Sequence, residues 1–130
     1  MTNQLQLTIA KLELKQLEMI DKLSERHNDY VIRLIQSSIT DKFVTVNGDW
    51  ELITGFKESY CSNKGWEDLL PELDLKHMLK HIDLAKSIDN FDGFKSNLLM
   101  KGGKTIDVYW KCKYFPEING LIFIGRVKRY

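Results

Sequence analysis

Cysteine and proline are scarce in this chain. Two cysteines, Cys61 and Cys112, stand far apart in 130 residues, in no CxxC or Cys/His-finger spacing. That excludes a disulfide scaffold and a structural zinc site, and leaves two free thiols in a reducing compartment, the cytoplasm. Neither glycine nor proline occurs before Gly48. No run of 18 apolar residues exists, so no membrane-spanning helix is expected. The N-terminus MTNQLQLTIAKLELK lacks the basic start, apolar run and small-residue cleavage site of a signal peptide. A charge excess is missing too: 19 Lys+Arg face 18 Asp+Glu, a formal net charge of +1. A nucleic-acid-binding domain normally carries a clear basic excess, so nucleic acid is not an expected partner. There is no nucleophile elbow, no P-loop and no nucleotide fingerprint, and no enzymatic activity is expected.

What remains is an ordinary globular composition, 43% hydrophobic and 28% charged, in a chain long enough to bury roughly two thirds of its unfolded surface. Leu5, Ile9, Leu12, Gln16, Met19 and Leu23 step by four, three, four, three and four residues, the 3.5-residue period of a helix seam. Leu7, Leu14, Leu17 and Ile20 widen the apolar surface. The spacing predicts a helix over residues 4–29, roughly 39 Å long. So apolar a helix must pack on its own domain, on a second copy, or on both. The seam is the expected homodimer interface, with Gln16 fixing its register at some cost in stability.

From Tyr30 the period changes. YVIRLIQ and KFVTVN are β-branched runs separated by a turn-forming SSITD, which reads as a hairpin. Trp50 to Gly55 reads as a short helix closed by glycine, and residues 57–72 as short turns and helices. Residues 74–86 form a good helix with Leu75, Met78, Leu79, Ile82 and Ala85 in one stripe. FKSNLLM, TIDVYWKCKYF and LIFIGRVKR then make a three-strand meander through the turns Lys101-Gly102-Gly103-Lys104 and Glu117-Ile118-Asn119-Gly120. The expected fold is α+β: a five-stranded antiparallel sheet with helices on one face, preceded by the long amphipathic helix. The last strand is apolar on both parities, so it needs cover on both sides, and the N-terminal helix is the natural second cover.

Three segments carry a family resemblance. Val46-Asn47-Gly48-Asp49-Trp50-Glu51-Leu52-Ile53-Thr54-Gly55-Phe56, the hairpin Lys101-Gly102-Gly103-Lys104, and Asn119-Gly120 with the strand that follows are similar, in order and spacing, to the PAS sensor domains. The resemblance covers residues 30–128. It implies a sensor module over 30–130 behind a dimerising helix at 1–29, a cavity between sheet and helices, and a role in sensing or dimeric signalling, with a histidine kinase or regulator as the possible partner. The closing tripeptide that couples many relatives to an output helix is here Val127-Lys128-Arg129, which makes the N-terminal helix the expected route to a partner.

The expected cavity wall is Met78, Leu79, Ile82, Leu98, Ile106, Val108, Trp110, Leu121 and Phe123, suited to a small hydrophobic ligand or to filling by its own side chains. Trp50 reads as core, while Trp66 and Trp110 stand open between core and cavity wall. The light-sensing branch of the family implies a thiol where this chain has Trp66, and Cys61 comes five residues too early. A covalent flavin adduct is therefore unsupported. His77 and His81 have a spacing that can hold a metal, and haem-binding members use a histidine on this helix. On a helical wheel both lie about 100° or more from the apolar stripe, which reads as two solvent-facing histidines. The ligand, if any, stays open between a small hydrophobic molecule and none, the latter making the domain a pure interaction module.

Overall fold

In this computed structural model, the structure describes residues 2–22, 29–88 and 92–128. Helix α1 (Thr2–Lys22) comes first, then strands β1 (Tyr30–Ser37) and β2 (Phe43–Gly48). Short helices α2 (Trp50–Thr54) and α3 (Glu58–Cys61), a 3-10 turn at Trp66–Asp68 and helix α4 (Glu72–Ile88) follow. Strands β3 (Asp92–Leu99), β4 (Thr105–Phe115) and β5 (Gly120–Val127) close the chain. The sheet is five-stranded with order β2-β1-β5-β4-β3, and every neighbouring pair is antiparallel. Helix α1 is described over Thr2–Lys22; the rest of the expected helix to residue 29, including Leu23, lies outside the described residues, as does the side chain of Leu5.

Local chemistry sets the corners. Gly48 has φ +81°, and a β-carbon on it would come within 2.4 Å of the Val31 carbonyl oxygen, so the strand can end there only on glycine. Asp49 then fastens the corner to β1. Its backbone N–H donates to Val31 O (2.8 Å), and its Oδ2 accepts from Val31 N–H (2.9 Å). Gly55, at φ +82°, closes α2 in the left-handed conformation. Asp74 in the first turn of α4 accepts the Asn97 N–H (2.9 Å), tying that helix to β3. Gly102 and Gly103 turn the β3–β4 hairpin with positive φ, and Asn119 does the same before β5.

Alternation along the strands sends residues to two layers. The inner face, with α2, α3 and α4, forms one cluster that includes Ile32, Leu34, Trp50, Trp66, Met78, Val108, Trp110, Leu121 and Phe123. The outer face forms a second cluster: Leu12 and Met19 of α1 with Ile35, Phe115, Ile118, Ile122 and Ile124. Every residue of β5 except Arg126 is buried, as its two-sided apolar pattern required. The second cover is the chain's own helix. Seam residues Leu12, Gln16 and Met19 are at most 4% exposed against the sheet, and Ile9 is half-buried.

Candidate functional site

Four aromatic rings meet in the space between sheet and helices. The Trp66 ring centre lies 5.0 Å from Phe43, 5.2 Å from Trp110 and 4.9 Å from Phe123, each edge-to-face. Such geometry sets the positive edge of one ring on the negative face of the next. Both indoles are anchored by their N–H groups. Trp110 Nε1 donates to Ser96 Oγ at 2.8 Å, and Trp66 Nε1 donates to Gln36 Oε1 at 3.2 Å. Gln36 in turn donates from Nε2 to the Asp41 carbonyl oxygen at 2.9 Å. A buried indole without a partner would cost a desolvated donor, so these bonds fix where the rings can lie. Gly125 opposite Trp110 makes the room: a β-carbon there would come within 2.6 Å of Trp110 Cζ3.

The expected wall residues largely assemble. Met78, Ile82, Leu98, Val108, Trp110, Leu121 and Phe123 are buried in the inner cluster, with Ile106 packed against it. Leu79 departs from them: it is 49% exposed, because it lies one step beyond the buried line Met78, Ile82 and Ala85 on α4. Trp66 and Trp110 are both core, at 1% exposure. Open space lies beside the rings. A cleft of about 200 Å³ lies between α4 and the turn that joins β1 to β2, lined by Gln36, Trp66, Leu79 and Ile82 and by the charged Asp41, Glu67, Asp83 and Lys86. Gln36, Ser96 and Gly125 were not singled out from sequence. The available signals were a lone amide and a lone glycine, each inside an apolar strand.

The titratable candidates resolve as follows. Cys61 is wholly buried and its thiol is pushed up to about 11 by burial, against smaller opposing effects from the Trp50 indole and Lys64. A thiol so protonated is a poor nucleophile. The residue in the flavin-thiol position, Trp66, carries an indole sealed into the ring cluster. His81 stacks on Phe94 (4.1 Å between ring centres), with Nδ1 2.7 Å from the His77 carbonyl oxygen, while His77 is exposed. Among the described residues no group of three or more His, Cys, Asp or Glu side chains could hold a metal ion. Nor is any described helix long and apolar enough to cross a membrane.

No protein-family model and no curated protein matches the sequence. Solved structures do. The PAS domain of the Cronobacter turicensis RpfR quorum-sensing receptor, in complex with C12:0, superposes with TM-score 0.61 at 14% identity, covering 78% of this chain and 95% of that one. A domain of a Geobacter sulfurreducens sensory box sensor histidine kinase/response regulator gives 0.61 at 14% identity, covering 85% and 92%. A tryptophan-to-alanine variant of Drosophila melanogaster Cycle PAS-B with bound glycerol gives 0.59 at 12% identity, covering 76% and 99%. With the sheet order and the helices on its inner face, these likenesses identify the chain as a PAS-fold domain.

Proposed function

We propose that this chain is a non-catalytic sensory and signalling domain that takes a small apolar molecule between α4 and the sheet and reports its presence through α1. One observation carries the reading: β5 is shared by both layers. Its Leu121 and Phe123 touch the ring cluster, while Ile122 and Ile124 support α1. A ligand that displaces Trp66 or Phe123 must therefore alter the seat of α1, by no more than its differential affinity for the two arrangements. The structural neighbours support a signalling role, one being a quorum-sensing receptor domain with bound C12:0 and another part of a sensor histidine kinase/response regulator. A histidine kinase or regulator is the corresponding partner. The two free thiols suit a cytoplasmic location.

The domain works as a homodimer in this reading, but through a different face of α1 from the expected seam. Leu7, Leu14 and Leu17 are 54%, 58% and 54% exposed. With Ala10 they step by three, four and three residues, a second 3.5-residue seam on the solvent side. The test of sensing uses dodecanoic acid and glycerol as probes. A saturable rise in Tm, with changed amide exchange in α1, is the expected result. No shift with either probe, and no small molecule released on denaturation of the purified protein, overturns it. A second reading, a ligand-free interaction module, is favoured by the four rings already occupying the interior.

A further inference from the structure

Helix α1 carries two apolar seams on opposite sides. Leu12 and Met19 sink into the outer cluster of the sheet, whereas Leu7, Leu14 and Leu17 are more than half exposed. Leu12 and Leu14 are two residues apart, about 200° around the helix. One seam therefore meets the chain's own sheet and the other faces solvent. The residues that flank the outer seam are open as well: Gln6, Lys11, Glu13 and Glu18 are all exposed, as is Ala10 within it.

The flanking residues give a helix pair on this seam a direction. With Leu7 and Leu14 at the a positions of a heptad and Ala10 and Leu17 at d, Gln6 and Glu13 fall at g, and Lys11 and Glu18 at e. In a parallel pair each g residue meets the e residue five positions further on in the other helix. That sets Glu13 against Glu18 twice, and like charges so placed are unfavourable. In an antiparallel pair e meets e and g meets g. Lys11 then meets Glu18 of the second copy, twice over by symmetry, and Gln6 meets its Glu13. The core layers agree. Antiparallel packing lays the small Ala10 over Leu14 of the second copy and Leu7 over its Leu17, whereas a parallel pair sets Ala10 on Ala10 and leaves a gap between large layers. Glu18 is free to make the exchange, since its contact with Lys15 in its own helix is a long 3.9 Å, and Lys15 also lies over the Phe115 ring of its own sheet.

We propose that the solvent-facing seam of α1 binds a second copy of this chain in the antiparallel sense, with Lys11 and Glu18 paired across the interface. This rests on the homodimer reading above and adds its direction. The two-fold axis then passes beside residue 12, where the opposite side of the helix rests on Gly120 of β5. Each α1 lies between its own sheet and the other helix. The apolar contact is short, three leucines and one alanine from each chain, so the dimer is expected to be weak and sensitive to salt.

Sedimentation of the full chain and its charge variants separates the two directions. Glu18→Lys is expected to weaken association about fivefold or more, because it sets lysine against lysine at both symmetric contacts. In a parallel pair the same change would tighten association, since the new side chain would meet Glu13. Lys11→Glu is expected to weaken association by a similar factor, and Lys11→Glu/Glu18→Lys to return it to within about twofold of the wild type. Cross-linking reads the direction independently. Cys61 and Cys112 are buried, so Ala10→Cys and Leu14→Cys should form disulfide-linked dimers when mixed and few when alone. Tighter association of Glu18→Lys, or faster cross-linking of Ala10→Cys by itself than in the mixture, overturns the antiparallel direction and leaves the dimer standing. A wild type that stays monomeric at high micromolar concentration overturns both.

Discussion

Leu12 of α1 lies directly on Gly120 of β5: a β-carbon built on that glycine would come within 2.5 Å of Leu12 Cδ2. The helix reaches the strand this closely because the first residue of β5 has no side chain. The contact joins the start of the sheet's central strand to the middle of α1.

Gly120→Ala is expected to destabilise the domain by about 1–3 kcal/mol through overpacking. Adding Leu12→Ala should restore part of that loss, because the truncated side chain vacates the space. Urea denaturation of the two single variants and the double variant measures the coupling. Strict additivity would show that the helix does not rest on this glycine.

Aspartate at position 12 has a different expected effect from the one that the seam alone suggests. The Leu12 side chain is 2% exposed against its own sheet, so Leu12→Asp buries a charge and should loosen the outer layer or unfold the domain. Leu14→Asp and Leu17→Asp change exposed positions and should leave the fold intact. In sedimentation experiments they are expected to give monomers where the wild type is a dimer. A wild type that sediments as a monomer at high micromolar concentration removes the dimer proposal.

Trp66→Ala removes the ring on which Phe43, Trp110 and Phe123 converge. It should cost about 3–5 kcal/mol and open a hole continuous with the cleft beside α4. Addition of indole is expected to recover part of the lost Tm in this variant, with little effect on the wild type. A variant whose Tm ignores indole would mean that the neighbouring rings collapse into the space.

Burial raises the Cys61 thiol from an ordinary 9.0 to about 11. Between these values the unfolded chain gives up its thiol proton while the folded one keeps it, so the folded state binds more protons. Stability from this group is therefore complete below pH 9 and is lost as pH rises towards 11, at up to about 1.4 kcal/mol per pH unit. Cys61→Ala should flatten the decline in stability between pH 9 and 10.5, measured by denaturant titration against the wild type. In the native protein Cys61 should also react slowly with a thiol reagent at pH 8.

The site was only partly legible from sequence. Alternation in TIDVYWKCKYF separates buried Val108, Trp110 and Cys112 from exposed Asp107, Tyr109 and Lys111, because a strand shows its two faces with period two. On α4 the apolar stripe takes in Leu79, which is 49% exposed beside the buried line of Met78, Ile82 and Ala85. A 3.6-residue period leaves boundary positions undecided until the neighbouring layer is in place. Gln36 gave no sign of its part, since its two bonds go to Trp66, 30 positions away, and to the Asp41 backbone in the following turn.

The sequence by itself determined the element order, the two-sided burial of β5 and the glycine-bearing corners, because periodicity and positive φ are local properties of the chain. Only the tertiary structure decided which surface each face meets. The seam of Leu12, Gln16 and Met19 could as well have met a second copy, and it covers its own sheet because β5 offers Ile122 and Ile124 beside a bare glycine. Likewise the pairing of Arg33 with Ile124 depends on β1 and β5 lying side by side, although the two residues are far apart in the chain, which no local pattern encodes.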